Sequence, residues 1–128
     1  MNNESREIIK MLDLEMNAVA KNPEHTDYPA ALADQIETEL DRMYQPINNG
    51  VYRSGFAATQ SAYEEAVTEL FATLEEYEQL LGRQRYLCGD RITQADWCLF
   101  TTLVRFDAVY NVHFKTNIKR IIDFPNLW

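Results

Sequence analysis

The stretch Gly89-Asp90-Arg91-Ile92-Thr93-Gln94-Ala95-Asp96-Trp97 reads as a turn that launches a helix. Thr93 followed three residues on by Asp96 is a capping-box pattern. The threonine oxygen can accept from the third helical amide, while the carboxylate reaches back to the amide of the cap. Such a cap contributes about 1 kcal/mol. Ile92 before the cap and Trp97 after it are spaced as a hydrophobic staple. Behind them Leu99, Phe100, Leu103, Val104, Phe106, Val109 and Tyr110 cover most of the circumference. A helix apolar nearly all round is expected to be buried. Asp90, Thr93, Asp96 and Trp97 are therefore structural in this reading, and the helix they start is the expected centre of the core.

Upstream lies the most regular helix, from Thr59 or Gln60 to Leu81. Tyr63, Ala66, Val67, Leu70, Phe71, Leu74, Tyr77 and Leu81 form its stripe, and Glu64, Glu65, Glu69, Glu75, Glu76 and Glu78 a solvent-facing remainder. Gly82 is placed for a left-handed cap. Further back, Leu32, Ile36, Leu40, Met43 and Ile47 recur at helical spacing after Tyr28-Pro29, with Asn48-Asn49-Gly50 as the stop. Val51 to Ala58 reads as a connecting loop. A first helix is expected near Glu4 to Ala20, capped by Asn2 or Asn3, with Ile8, Ile9, Leu12, Met16 and Val19 on one side; Asn22-Pro23 breaks it. After Tyr110 a short helix is expected over Thr116 to Ile122, and Phe124-Pro125-Asn126-Leu127-Trp128 looks like another helix beginning. No alternating strand pattern occurs, so the fold class is all-α.

Composition sets the outer bounds. The chain has 128 residues, 46% apolar and 25% charged, which suits one soluble domain with a real core. A net charge of -8 disfavours nucleic acid or an anionic membrane as partner, because both need clustered cations. No apolar run approaches the roughly 20 residues of a membrane span, and the amino end lacks signal-peptide features. Cys88 and Cys98 form no ligand cluster and sit beside apolar residues, so a reduced, cytoplasmic protein with structural cysteines is expected.

Together these residues resemble the carboxy-terminal part of a glutathione transferase, whose capping motif is similar to Gly89-Asp90-x-x-Thr93-x-x-Asp96. Longer strings are similar to one branch, the glutathionyl-hydroquinone reductases of the Xi class. They are Asn48-Asn49-Gly50-Val51-Tyr52-Arg53-Ser54-Gly55-Phe56-Ala57, Thr59-Gln60-x-x-Tyr63, Ala95-Asp96-Trp97, and Thr101 through Tyr110, with His113-Phe114-Lys115 and the closing Phe124 to Trp128. The resemblance implies a glutathione transferase C-terminal helical bundle over residues 23–128, shortened at its far end. Residues 1–22 would be the last helix of a thioredoxin-like domain plus linker. That domain's Cys-Pro-Trp type motif does not occur among these residues.

The implied activity is reductive deglutathionylation of a glutathionyl-hydroquinone by a cysteine thiolate, with glutathione as a substrate and no metal. The Glu4-Ser5 pair is implied to hold the γ-glutamyl end of glutathione: a carboxylate for the ammonium, a hydroxyl and helix-start amides for the carboxylate. Tyr52 is the residue carried over first, as proton donor or hydrogen-bond partner of the departing quinol; without the resemblance it would read as a tyrosine packing on the bundle. Tyr110 is a second acceptor-pocket candidate and equally a candidate for ordinary core. Arg53, Arg105 and His113 suit an anionic or phenolic ligand, while Asp107 could pair Arg105 instead. Partners would be glutathione and an aromatic quinol, in a homodimer, or a self-associating fragment that is inactive alone. A non-catalytic interaction module and a transferase with another acceptor stay open as alternatives.

Overall fold

Helix α4 (Gln60–Leu81) is the spine of the domain, and the remaining helices order themselves on it. Thr59 caps it by accepting from the Ala62 amide at 3.2 Å. The computed structural model describes residues 3–128, and the elements formed by these residues are all helical. In chain order they are α1 (Ser5–Leu14), a 3-10 turn (Ala30–Leu32), α2 (Ala33–Met43), a π turn (Tyr44–Asn48) and α3 (Gly50–Gly55). After α4 come α5 (Gln94–Arg105), a second π turn (Phe106–Tyr110), the single turn α6 (Asn111–His113) and a 3-10 turn (Ile121–Asp123).

The core collects Ile36, Leu40, Met43 and Ile47, Val67, Leu70, Phe71, Leu74 and Tyr77, and Ala95, Leu99, Phe106 and Tyr110. Burying each large side chain contributes about 1.5–3 kcal/mol. Tyr77 is fully buried, and its hydroxyl donates to Glu39 at 2.8 Å. Burial first, and Glu39 second, push that phenol's pKa far upward.

The capping box at Thr93 is closed. Asp96 accepts from the Thr93 amide at 2.8 Å and the Thr93 hydroxyl at 2.9 Å, and its other oxygen takes the Leu87 amide at 2.9 Å. One carboxylate thus pins both the helix start and the incoming loop. Gly89, at φ +104°, makes the turn before it, a conformation strained for a side-chain-bearing residue. Asp90 is exposed, and its carboxylate takes no hydrogen bond among the described residues.

Several expectations need correction. The helix after Thr93 is buried on one side only: Leu99 and Thr102 face inward, whereas Trp97, Phe100 and Val104 are 46%, 51% and 59% exposed. Its apolar residues span two faces, and the core of this chain covers one of them. Val51 to Ala58 is largely helix, not loop. The chain leaves α2 through the π turn, where buried Pro46 lacks an amide and Asn49 donates five residues back to Tyr44 at 2.8 Å. Gly50 accordingly opens α3 rather than ending α2. Its missing side chain faces Gln45 and Leu70.

Gly82 has φ -70°, so it is right-handed. Helix α1 stops at Leu14, where the Asn17 side chain donates to the Leu14 carbonyl at 3.4 Å, and none of its residues is buried. Its cap position is Glu4, not Asn3; Asn2 lies outside the described residues. Thr116 to Ile122 is mostly irregular, with a 3-10 turn only from Ile121. The glutamate face of α4 is partly occupied: Glu69, Glu75 and Glu76 take Arg53, Lys119 and Arg42, and Glu78 accepts the Asn126 and Leu127 amides.

Candidate functional site

The π turns after α2 and α5 bring Tyr52 and Tyr110 together. Their hydroxyls lie 3.0 Å apart and their rings meet edge to face at 5.6 Å between centroids. Tyr110 is 3% exposed and Tyr52 38%, so Tyr110 forms the back of the site and Tyr52 its face. Burial, then the Tyr52 hydrogen bond, push the Tyr110 phenol up to about 12, against the opposing pull of Arg105. It stays protonated at neutral pH and can donate. Phe114 completes the cluster, its ring centroid 5.5 Å from both tyrosine rings. It can lie there because Gly55 has no side chain: a Cβ on Gly55 would come within 2.3 Å of the Phe114 ring.

Tyr52 opens onto a cavity of about 350 Å³ between α1, the α2–α3 segment and α5. Ser5, Arg6 and Ile9 line one wall and Cys98, Thr101, Thr102 and Arg105 the other, with Tyr44 and Trp97 as aromatic sides. Asn48 fixes the two helical segments, donating to the Cys98 carbonyl at 2.9 Å and to Thr102 Oγ1 at 2.8 Å. Burial raises the Cys98 thiol, which keeps it an unreactive neighbour.

The sequence-derived residues separate cleanly. Ser5 shares the Tyr52 cavity, with Glu4 just before it at the start of α1. Arg53 points to α4, where it meets Glu69 at 2.6 Å and Glu65 at 3.9 Å. His113 is exposed beside a different cleft lined by Gly55, Tyr63 and Lys115. Trp97 borders the cavity, its indole donating to Asp27 at 3.1 Å. Asp107 accepts the Ile121 amide at 2.6 Å and the Ile122 amide at 3.2 Å, leaving Arg105 free of it.

Sequence reasoning passed over Arg6, Tyr44, Asn48 and Thr101. Arg6 is placed by the pairing of α1 with α2 and the other three by the packing of the α2–α3 segment on α5, which no local pattern announces.

A larger groove of about 560 Å³ runs along the outer face of α5, lined by Phe100, Leu103, Val104, Leu127 and Trp128. Arg85, Asp96 and Asp107 also line it, but both carboxylates are taken up by backbone amides, of Leu87 and Thr93 and of Ile121 and Ile122. The smaller cavity carries the convergent hydroxyls and guanidinium that orient a ligand, and it is the better candidate site.

The helical order, the closed capping box and this inter-helix cavity define the class: the chain belongs to the glutathione S-transferase C-terminal domain family, whose model matches residues 60–128. It is 52% identical over 127 residues to the glutathionyl-hydroquinone reductase PcpF of Sphingobium chlorophenolicum, covering 99% of this chain and 40% of that protein. It is 47% identical over 129 residues to the glutathionyl-hydroquinone reductase YqjG of Escherichia coli, covering 100% and 39%. Among solved structures, the Xi-class transferase of Natrialba magadii matches with a TM-score of 0.96 at 50% identity, over 99% of this chain and 38% of that one. The glutathione-bound structure of E. coli YqjG matches at TM-score 0.93 and 47% identity, over 98% and 41%. The chain thus spans about two-fifths of the length of these relatives. No helix of the described residues is long and apolar enough to cross a membrane.

Proposed function

We propose that this chain is the acceptor-binding half of a cytoplasmic, glutathione-dependent enzyme that reductively deglutathionylates glutathionyl-hydroquinones. The observation that carries the reading is the Tyr52–Tyr110 hydroxyl pair, whose Tyr52 member lines the same cavity as Ser5. Two relatives that match nearly all of this chain are glutathionyl-hydroquinone reductases, which supports the reaction class.

In that reaction a cysteine thiolate, supplied by a thioredoxin-like domain, attacks the thioether sulfur. The S–S bond forms, the sulfur–ring bond breaks, and the ring carbon takes a proton as hydroquinone leaves. A glutathione thiolate then attacks the mixed disulfide, releasing oxidised glutathione and restoring the cysteine thiolate. Tyr52 donates to a quinol oxygen or supplies the proton, and Tyr110 holds the Tyr52 hydroxyl in place. Glu4 and Ser5 receive the γ-glutamyl end of glutathione, and the quinol ring lies between Tyr52, Tyr44 and Trp97.

The 128 residues assayed alone with a glutathionyl-hydroquinone should give no turnover, and the same residues joined to the cysteine-bearing domain should give it. Robust turnover by the isolated chain, or none by the joined enzyme, would overturn the reading. The exposed apolar face of α5 is proposed to mediate self-association of this chain.

A further inference from the structure

Arg6 and Arg105 line the cavity and Arg53 follows Tyr52 in the chain, and their partners distinguish the three. Arg6 is neutralised: its two terminal nitrogens lie 2.6 Å from Glu37 and 2.7 Å from Asp41. Arg53 is spent on Glu69 and Glu65, away from the cavity. Arg105 lines the cavity itself and has no carboxylate partner among the described residues. Its Nε donates to the Thr101 carbonyl of its own helix at 2.8 Å, and its guanidinium carbon sits 5.7 Å from the Tyr110 ring centroid. Asp107, two residues on, is committed to the backbone of residues 121 and 122.

An arginine anchored through Nε keeps both terminal nitrogens for one incoming group. That fork matches a carboxylate, and it does so better than a lysine ammonium would. In a chain of net charge -8, such an uncompensated cation at the mouth of a ligand cavity invites an anion.

Resting on the functional reading above, we propose that Arg105 sets acceptor specificity: it pairs with a ring carboxylate of the acceptor, so that the favoured substrates are glutathione thioethers of acidic hydroquinones. The other carboxylates that could reach it are those of glutathione itself, and the experiment separates the two sources.

In the complete enzyme, kcat/KM is measured for the glutathione thioether of 2,5-dihydroxybenzoate and for that of unsubstituted hydroquinone. The wild type should favour the acidic thioether. Arg105→Gln should lower that preference about fivefold, the scale of an accessible ion pair with good geometry. Arg105→Lys should restore part of it. An unchanged preference in Arg105→Gln would overturn the proposal, as would a loss confined to the KM for free glutathione, which would assign the guanidinium to the tripeptide.

A binding measurement keeps this test apart from the reaction assignment. Quenching of Trp97 fluorescence in a Trp128→Phe form of the 128-residue chain by 2,5-dihydroxybenzoate should exceed quenching by hydroquinone, and adding Arg105→Gln should erase the difference. If the enzyme turns over neither thioether while that binding preference is present and arginine-dependent, the reaction assignment fails and the role of Arg105 in receiving aromatic acids stands. Turnover of both thioethers without preference overturns the role of Arg105 alone.

Discussion

Tyr52 and Tyr110, 58 residues apart in the chain, meet hydroxyl to hydroxyl at 3.0 Å, one at the mouth of a cavity and the other buried behind it. The pair divides the work. A buried phenol with a raised pKa is a fixed anchor, and the accessible one is free to meet a substrate oxygen. Tyr52→Phe in the complete enzyme should therefore slow quinol release, lowering kcat by roughly 10²-fold, the lower range for loss of a general acid. Unchanged steady-state kinetics would remove Tyr52 from the chemistry.

The same pair has an alkaline signature. The Tyr110 phenol is pushed up to about 12, above the value of about 10 for an unfolded tyrosine. The folded state binds that proton more tightly than the unfolded state does. Stability is therefore fully present below about pH 10 and falls as pH rises toward 12. Tyrosinate absorbance should show late-titrating phenols, with the deeply buried Tyr77 highest and the Tyr110 phenol below it. Tyr52→Phe should bring the Tyr110 phenol partly back, since burial persists and the hydrogen bond does not. A wild-type titration in which every tyrosine ionises near pH 10 would contradict the burial of Tyr110.

Gly55 and Phe114 couple packing to the site. Adding one methyl at Gly55 puts a Cβ within 2.3–2.7 Å of Phe114 atoms, closer than real contacts allow. Gly55→Ala should cost about 1–3 kcal/mol in urea unfolding, the usual range for overpacking. It should also weaken acceptor binding by moving the ring that backs both tyrosines. Combining it with Phe114→Ala should cost less than the sum of the two single losses, because the collision vanishes once the ring is gone.

Asp96 accepts three hydrogen bonds, two of them from the backbone amides of residues that are themselves buried, Leu87 and Thr93. Asp96→Ala strands those donors at about 1–3 kcal/mol each. Chemical denaturation should show a loss of about 2–6 kcal/mol, with catalysis in the surviving folded enzyme changed far less. A variant with wild-type stability would refute the structural role.

Helix α1 buries none of its residues and is held by charge. Arg6 and Lys10 pair with Glu37, and the Tyr28 hydroxyl donates to the same carboxylate. The Tyr28 hydrogen bond, followed by those from Lys10 and Arg6, holds the Glu37 pKa below the usual glutamate range despite opposing burial. A depressed folded pKa means the contribution is complete above the unfolded value of about 4.3 and is lost as pH falls through the folded one. Protection factors of the α1 amides, corrected for the intrinsic pH dependence of exchange, should fall over that acid window in the wild type. In Glu37→Gln they should already be low at neutral pH, with little further change.

The sequence by itself determined the helical class, the extent of α4 and the closed box at Thr93 and Asp96. Each rests on interactions within a few residues of chain, which spacing reveals. It also drew attention to Tyr52 and Tyr110 individually, through resemblance. Only the tertiary structure decided that the residues around Tyr52 are helical, because Pro46 converts the end of α2 into a π turn that runs on into α3. Only it showed that α5 leaves Trp97, Phe100 and Val104 at the surface, because burial depends on what lies opposite and not on how apolar a helix is. The fate of each arginine was likewise decided in three dimensions. Arg53 and Arg105 look equivalent in sequence, but Glu69 takes one and Asp107 turns away from the other. Charge pairing across helices is set by their packing, and that is where the candidate site acquires its free cation.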